Sequence, residues 1–417
     1  MTKNKLGVVL VMAATVGAAC VAQASESDAI RIVNGKMEID GQLKELAAIY
    51  EEQTGQAVEI ESSGSNAVGL TKGYYQAGNM PDAFFISSKA DYDSWDGLCA
   101  DLSDCAFAAD TDMALVNEAG EVVGFPYAVE GYGLTYNADI LEAAGIDPAT
   151  LTTYSAYEEA FAKLDSMKEE LGLTAVCSVG AESGQLFWST GNHIMGAYLS
   201  SGVARDDKTY IDMLLNGEID TARMTQFGKF FQMMCQYSDQ QTLISGSYDD
   251  QLALWCSGKA AFITQGNWID VSLVDYDVTF NCGIAPFAFT EEETPGILVD
   301  CASWWLVYGE SDKVEETKAF LDWLATSQEG QEALVKDCGM VSPYNSCAVE
   351  PEYPLAISLS SYIAEGNTYA WDWCDMPEGA SQEYFALVFE AFAKGDVDVD
   401  NFVSLMASQV EAVAAAN

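Results

Sequence analysis

Periodic apolar positions divide the first sixty residues into a strand, a helix and a second strand. Ile30 to Val33 is a short apolar run typical of a strand, and Asn34-Gly35 ends it in a turn. Apolar side chains then recur at the spacing of a helix face, at Leu43, Leu46, Ala47 and Tyr50. Gly55 ends this helix, and Ala57 to Ile60 forms the next strand. The segment therefore predicts a βαβ unit.

The same alternation continues along the chain and predicts an α/β fold. Val68 to Ala77 is amphipathic, and Ala83 to Ile86 is an apolar strand. Further helices are predicted at Thr153 to Leu171, Thr225 to Tyr237, Val314 to Leu324 and Glu329 to Val335, and a further strand at Ser303 to Tyr308. This order predicts mainly parallel sheets flanked by helices, with ligands expected at the carboxyl ends of the strands.

The stretch from Gly258 to Trp268 predicts a buried strand that ends beside a tryptophan. An apolar run leads into a Gly266-Asn267 turn, and Trp268 follows directly. A large aromatic side chain beside a turn either packs in the core or contacts a ligand. The local pattern leaves both interpretations open.

Length and charge limit the possible functions. A chain of 417 residues is long for one hydrophobic core and predicts two domains. The chain has 18 basic and 64 acidic residues, which gives a formal net charge of −46. Such a chain repels phosphate backbones and anionic lipid headgroups. We therefore expect no nucleic-acid partner and no peripheral membrane binding, and we expect a monomer.

The first 24 residues have the pattern of a secretory signal. Two lysines precede an apolar run from Leu6 to Val16, and Ala22-Gln23-Ala24 fits a cleavage site. A second processing site competes, because the segment ending in Cys20 resembles a lipobox with Gly17 in place of the usual leucine. Both predict export, either as a secreted protein or with a lipid anchor. No later apolar run is long enough to span a bilayer.

Cysteine and histidine usage argues against a metal centre. Ten cysteines follow the signal region, and Cys99/Cys105 and Cys338/Cys347 are the best candidates for disulfides in an exported protein. There is no Cys-x-x-Cys, and His193 is the only histidine. The chain therefore lacks the usual ligand pattern of a zinc site and offers a single histidine for a catalytic triad, so we expect no metal and no cofactor.

Tryptophans beside polar groups indicate a sugar ligand. A sugar in water offers a C–H face that suits a flat aromatic ring and hydroxyls that suit carboxylates and amides. The chain has nine tryptophans, several of them next to such groups. The candidates are Trp188 near Asn192, Trp268 after Asn267, Trp304 after Ser303, and Trp371 beside Asp372.

Four segments in order make the chain similar to a known family. They are Asn34-Gly35 with the helix ending at Gly55, Gly78-Asn-Met-Pro-Asp82 before an apolar strand, Gly124 to Asn137, and Gly258 to Trp268. Together they resemble the extracellular solute-binding proteins of carbohydrate ABC transporters, of the maltose-binding type. The resemblance implies a type II periplasmic-binding-protein-like fold, in which two lobes close on a sugar and deliver it to a membrane permease.

The resemblance also implies lobe boundaries. A first lobe is expected from residues 25–131 and 284–338, and a second lobe from residues 132–283 and 339–417, after the signal at 1–24. Gly124 to Asn137 is the first crossing between the lobes, and Ile284 to Phe287 is the second.

Ligand contacts carried over from the family fall on Asn34, Lys36, Glu130 and Trp268, and we add Tyr132 beside Glu130. The chain departs from the maltose-binding pattern in two places. An acidic residue precedes the lysine in that pattern, whereas here Glu38 follows Lys36, and Ile86 replaces a tryptophan. The resemblance therefore does not identify the sugar.

Two other functions remain open. The same two-lobed fold can bind a cation, either a polyamine held by aromatic rings and carboxylates or iron held by tyrosines such as Tyr74 and Tyr75. A glycoside hydrolase needs two carboxylates at a fixed separation, which the sequence does not locate. We expect a binding protein and no enzymatic activity.

Overall fold

The structure is a computed structural model that describes residues 28–301 and 303–416, with the side chain of residue 65 excepted. The described residues contain thirteen strands. These are β1 Ile30–Asn34, β2 Val58–Ser62, β3 Ala83–Ile86, β4 Leu115–Val116, β5 Val122–Pro126, β6 Glu130–Tyr132, β7 Leu134–Asn137, β8 Ala175–Ser178, β9 Ala260–Ile263, β10 Cys282–Ala285, β11 Ile297–Asp300, β12 Trp304–Val307 and β13 Thr368–Tyr369.

Helices connect and cover these strands. The α-helices are α1 Asp40–Thr54, α2 Ala67–Ala77, α3 Lys89–Asp93, α4 Ala138–Ala144, α5 Tyr154–Ser166, α6 Lys168–Leu171, α7 Met195–Ser200, α8 Thr209–Leu215, α9 Thr221–Gln236, α10 Gln240–Ser245, α11 Tyr248–Cys256, α12 Asp270–Asp275, α13 Val314–Thr326, α14 Gln328–Glu332, α15 Pro354–Glu365, α16 Ala386–Ala393 and α17 Val399–Ala416. Short 3₁₀ helices include Met37–Ile39, Asn267–Ile269 and Asp372–Asp375, and π-helical turns occur at Ser189–Ile194, Ala333–Asp337 and Ala380–Phe385.

The strands form three sheets. Lobe 1 contains a six-stranded sheet in the order β2-β1-β3-β12-β5-β4, and lobe 2 contains a four-stranded sheet in the order β10-β7-β9-β8. A third sheet, β13-β11-β6, joins the lobes, and we call it the bridging sheet. The lobe 1 sheet has one cluster of buried apolar side chains, and two further clusters each combine side chains of the lobe 2 sheet and the bridging sheet. The predicted α/β class is confirmed.

The sheets are mixed, so the prediction of mainly parallel pairing is wrong. Parallel pairing is confined to β1/β2, β1/β3, β8/β9 and β11/β13, and the other strand pairs are antiparallel. The reason is the crossing of the chain between lobes. In lobe 1, β12 begins where β3 and β5 end, with Trp304 opposite Ile86 and Pro126. A strand that enters the sheet from the cleft edge must run against strands that end there.

The two crossings lie side by side. Strand β6 carries the chain from lobe 1 to lobe 2, and β11 carries it back, so the two strands pair antiparallel with Asp300 opposite Glu130 and Val299 opposite Gly131. The second crossing was predicted at Ile284 to Phe287, but Ile284 and Ala285 lie in β10 of the lobe 2 sheet. The remaining lobe boundaries stay predictions.

Local chemistry explains why the predicted elements form. Helix α1 buries Leu43, Leu46, Ala47 and Tyr50, and Gly55 ends it with a φ of 80°. This left-handed conformation favours glycine, which has no Cβ to clash. Strand β3 is buried along its whole length, as expected for a central strand that packs on both faces.

None of the ten cysteines in the described residues forms a disulfide. The candidate pairs Cys99/Cys105 and Cys338/Cys347 are therefore not bridged. Cys99 donates from its Sγ to the carbonyl of Trp95, whereas Cys105 packs in the lobe 1 core. Burial raises the pKa of both Cys99 and Cys105 to about 12, so neither thiol ionises near neutral pH.

Two sequence predictions concern membrane association. The predicted signal peptide at residues 1–24, with its processing sites at Cys20 and Ala24, lies outside the described residues. Within residues 28–301 and 303–416, every helix is too short or too polar to cross a membrane.

Asp270 links the segment after Trp268 to helix α15. Its carboxylate is buried and accepts the backbone N–H groups of Leu355 at 3.0 Å and Ala356 at 2.7 Å. These are among the first N–H groups of α15, which have no partner within the helix. A carboxylate at this end also interacts favourably with the helix dipole.

Asp270→Ala is expected to lower the free energy of unfolding by about 1–3 kcal/mol, because it leaves two buried N–H groups without an acceptor. Urea denaturation measures this loss. The control is Asp275→Ala, since Asp275 is exposed on the same helix α12 and its removal is expected to cost less than about 0.5 kcal/mol. Equal stabilities of the two variants would contradict the capping role of Asp270.

Candidate ligand-binding cleft

A cavity of about 470 Å³ lies between the lobes. Lobe 1 contributes the loop after β1, from Gly35 to Glu38, together with Phe85 and Ser87 at the end of β3. Lobe 2 contributes mainly aromatic side chains, and Glu130 of β6 lies between the two. The cavity therefore lies at the carboxyl ends of β1 and β3, where α/β folds commonly bind ligands.

Asn34 and Gly35 fix the loop that follows β1. Asn34 is fully buried, and its Nδ2 donates to the carbonyl of Lys36 at 2.7 Å and to Oγ of Ser62 at 2.9 Å. Gly35 packs directly on the ring of Phe85, where a Cβ would lie 2.4 Å from ring carbons. Glycine is needed at this close approach. The loop thus holds the next side chain, Lys36, in the cavity wall.

Lys36 forms a buried ion pair with Glu130. Its Nζ lies 2.5 Å from Oε1 of Glu130 and 3.8 Å from Oε1 of Glu38. Burial alone lowers the pKa of Lys36, but the two carboxylates outweigh this effect and raise its pKa above the ordinary value. Burial also raises the pKa of Glu38, against the opposing influence of Lys36. The cavity therefore has one lysine beside two carboxylates.

The lobe 2 side of the cavity is an aromatic wall. We use this name for His193, Trp188, Trp268, Trp371 and Trp373, which all line the cavity. The ring of His193 lies 4.8 Å from that of Trp268 and 5.4 Å from that of Trp188. Trp371 and Trp373 are stacked on each other at 5.7 Å. These rings give the lobe 2 side of the cavity a largely apolar lining.

A close backbone contact positions Trp268. Gly266 approaches the first crossing so closely that a Cβ would lie 2.3 Å from the carbonyl oxygen of Gly131. Asn267 then accepts the N–H of Gly131 through its Oδ1 at 2.8 Å. The indole Nε1 of Trp268 donates to Oε1 of Gln265 at 2.8 Å, which fixes the ring. The predicted strand is confirmed as β9, and the turn after it brings Trp268 to the cavity.

His193 lies within the aromatic wall on a π-helical turn, Ser189–Ile194. Burial, with a smaller effect from the positive charge of Lys36, lowers its pKa to about 3. His193 is therefore neutral near pH 7 and acts here as another flat ring. Single π-helical turns are frequent at functional sites.

Six of the nine predicted site residues line the cavity: Lys36, Glu130, Trp188, Asn192, Trp268 and Trp371. Three do not. Asn34 is buried under the loop after β1 and donates to the carbonyl of Lys36. Tyr132 lies behind the aromatic wall, with its ring 5.0 Å from that of Trp371. Trp304 is 5% exposed and donates from Nε1 to the carbonyl of Met113, so it is part of the lobe 1 core.

Several further residues line the cavity although they were not predicted from the sequence. His193 and Trp373 were visible as neighbours of chosen candidates, and Glu38 was noted only as a departure from the family pattern. Phe85 and Tyr248 had no local signal, because each lies in an apolar or mixed segment that the tertiary fold brings to the cavity. Tyr74 and Tyr75 do not converge: the hydroxyl of Tyr74 donates to Glu61, while Tyr75 packs on Trp95.

A second cavity of about 480 Å³ continues the cleft toward its rim. It shares Val68, Ser87, Gln185 and Asn192 with the first cavity, among other residues. Together the two cavities form an elongated cleft. Among the described residues, no group of three or more acidic, cysteine or histidine side chains could hold a metal ion.

Two ion pairs cross the rim of the cleft and hold the lobes together. Lys72 of lobe 1 pairs with Glu378 of lobe 2, and Lys89 of lobe 1 lies 2.8 Å from Asp375 of lobe 2. We call these the rim pairs. Ser94 adds a hydrogen bond of 3.0 Å to Glu378. In a strongly acidic chain, these lysines offset repulsion between the lobes.

Comparisons with known proteins agree with this architecture. A family model described as bacterial extracellular solute-binding protein matches residues 45–356. A search of the curated proteins found no match for this chain.

Several solved structures have the same fold. A sugar transporter from Bacillus licheniformis in complex with stachyose is similar with a TM-score of 0.73 at 17% identity, over 92% of this chain and 100% of that chain. RafE in complex with raffinose has a TM-score of 0.74 at 16% identity, over 93% and 99% of the two chains. The GacH receptor of Streptomyces glaucescens, solved unliganded and with acarbose, has a TM-score of 0.69 at 15% identity, over 92% and 98%. The fold predicted from the sequence, two-lobed and periplasmic-binding-protein-like, is confirmed.

Removing both rim lysines in Lys72→Ala/Lys89→Ala is expected to open the cleft. Each exposed pair contributes less than about 1 kcal/mol, so the ratio of closed to open molecules falls by at most about fivefold per pair. Small-angle X-ray scattering of the ligand-free protein measures this as a larger radius of gyration. Lys168→Ala is the control, because Lys168 pairs with Asp165 within lobe 2. A radius unchanged from wild type contradicts the role of the rim pairs.

The depressed pKa of His193 predicts a pH-dependent stability. Unfolding restores a pKa near 6.5, so the unfolded state takes up a proton below that pH and the folded state does not until about pH 3. Stability is therefore lost as the pH falls below 6.5. Between pH 7 and pH 5 the wild type should lose about 1–2 kcal/mol more than His193→Phe. Urea denaturation at both pH values tests this, and identical pH profiles for the two proteins contradict it.

Proposed function

Because the chain belongs to the family of bacterial extracellular solute-binding proteins, we propose that it captures a sugar or short oligosaccharide in the cleft between its lobes. The two lobes close on the ligand and deliver it to the membrane permease of an ABC transporter. No covalent chemistry is part of this function.

The main support for the proposal is that aromatic rings and hydrogen-bonding groups line the same cavity. Trp268 and the rest of the aromatic wall line the lobe 2 side, while Glu38 and Ser87 offer hydrogen-bonding groups from lobe 1 and Glu130 offers one from the crossing strand between them. A pyranose ring needs this combination, because its C–H face is apolar and its rim carries hydroxyls that donate and accept. The elongated cleft also has room for more than one sugar unit.

The similar solved structures support the same ligand class. Their bound molecules are stachyose, raffinose and acarbose, all of them oligosaccharides. Their identity to this chain is too low to transfer one particular sugar.

The bridging sheet supports closure by a hinge. Only β6, β11 and the segment leading to α15 connect the lobes among the described residues. A few backbone dihedrals in these connections can therefore change the angle between the lobes. Closure around a sugar excludes water and strengthens the polar contacts within the cleft.

We further propose that the protein acts outside the cytoplasmic membrane, after removal of residues 1–24 or anchored through Cys20. The family and the signal-like amino terminus support export. Mass spectrometry of the mature protein distinguishes the two forms, since acylation adds the mass of the lipid to a chain that begins at Cys20.

A thermal-shift screen tests the ligand class. A panel of mono- to tetrasaccharides is expected to contain at least one that raises the melting temperature, because a ligand that binds only the folded state stabilises it. Spermidine and ferric citrate serve as probes for the cationic alternatives. No shift with any saccharide, or a shift with a cationic probe alone, contradicts the proposal.

Trp268→Ala is expected to weaken the binding of the tightest-binding saccharide by at least tenfold, or about 1.4 kcal/mol, because it removes a ring from the aromatic wall. Isothermal titration calorimetry measures the loss. Trp323→Ala is the matched control, since Trp323 packs on Tyr50 and Phe320 of lobe 1, away from the cavity. If both variants keep wild-type affinity, Trp268 does not contact the ligand.

A further inference from the structure

The charges that line the first cavity of the cleft, the one beside the aromatic wall, are not balanced. Apart from His193, which is neutral near pH 7, its basic and acidic side chains among the described residues are Lys36, Glu38 and Glu130. Lys36 is committed to Glu130, at 2.5 Å, with both side chains at most one-tenth exposed. The distance from Lys36 to Glu38 is 3.8 Å, longer than a hydrogen bond. Lys36 thus pairs closely with Glu130 and more loosely with Glu38, so one lysine faces two carboxyl groups.

Among the described residues, the second cavity of the cleft has no compensating cation either. Lys72 lines it, but Lys72 is paired with Glu378 across the rim. Asp91 and Glu383 are further carboxylates in the same lining. No unpaired cation therefore faces the cleft from its described lining residues. An anionic group on a ligand would meet carboxylates without a partner of opposite charge.

Glu38 is placed to act on a ligand directly. It follows Lys36 on the 3₁₀ turn Met37–Ile39, and its side chain is 20% exposed in the cavity wall. The rest of the acidic surface lies in water, where salt screens charges beyond about 8–10 Å. A charge in a cavity that closes over its ligand is screened much less.

We propose that Glu38 is a specificity-determining residue of this site: it accepts hydrogen bonds from sugar hydroxyls and excludes saccharides that carry a carboxylate, sulfate or phosphate. This inference rests on the proposed sugar-binding function. A hydroxyl can donate to the carboxylate of Glu38, whereas an ionised acid can only accept and meets two carboxyl groups beside one lysine. The site therefore selects uncharged saccharides over their acidic counterparts.

The test compares matched pairs of sugars by isothermal titration calorimetry. The probes are glucose, galactose, xylose and N-acetylglucosamine oligosaccharides of one to four units, each with a counterpart in which one sugar is replaced by a uronic acid. Wild-type protein should bind each uncharged saccharide that gives a signal at least tenfold more tightly than its acidic counterpart. Glu38→Gln should reduce this ratio by tenfold or more, because it removes the repelling charge and keeps the size of the side chain.

Glu51→Gln is the matched control for net charge, since Glu51 is exposed on α1, outside the cleft. Its affinity ratio should equal that of the wild type. Melting temperatures confirm that each variant is folded before titration.

Two results overturn the inference while sugar binding stands: equal binding of acidic and uncharged partners by the wild type, or an unchanged ratio in Glu38→Gln. Preferential binding of an acidic saccharide also overturns it. If no probe of either kind binds the wild type, the proposed function itself fails and the inference falls with it.

Discussion

The arrangement of the cleft depends on the buried ion pair between Lys36 and Glu130. It joins the loop after the first strand of lobe 1 to the first crossing strand, at the base of the cavity. Removing charges from water costs several kcal/mol per ion, and only a close partner with good geometry offsets this cost. Loss of either partner would leave a buried unpaired charge. The loop and the crossing are therefore held in one relative position, and the cavity wall takes its shape from it.

The crossing strand β6 connects this charged centre to the aromatic wall. Glu130 and Tyr132 are two residues apart and point to the same side of the strand. Glu130 contacts the lysine of lobe 1, and Tyr132 supports His193 and Trp371 of lobe 2. Between them, Gly131 receives the close approach of Gly266 that positions Trp268. One short strand thus contributes a charged side chain to the cavity wall and supports the aromatic rings.

Sequence patterns predicted the individual elements well, because these depend on local chemistry. The face of α1, the buried run of β3 and the strand before Trp268 follow from periodicity and glycine placement. Strand direction was not predictable in this way. The pairing of β12 between β3 and β5 depends on where the chain returns from lobe 2, which no local pattern encodes.

The residues of the candidate site likewise divide into those that the sequence could identify and those that depend on tertiary contacts. Lys36, Glu130 and Trp268 were found because four ordered segments resemble a family. Trp304 was chosen from its polar neighbours, but its indole N–H is used by the carbonyl of Met113 within the core. Whether a tryptophan offers its face to a cavity depends on contacts distant in sequence. His193, whose ring completes the aromatic wall, lacks any sequence signal beyond its aromatic surroundings.

The most direct test of the account is a crystal structure of the protein grown with the saccharide that raises its melting temperature most. The account predicts a sugar ring with its C–H face against Trp268, hydroxyls within hydrogen-bonding distance of Glu38 or Glu130, and lobes closed over it. A sugar bound outside the cleft, or within it but touching neither Trp268 nor these carboxylates, would contradict the account.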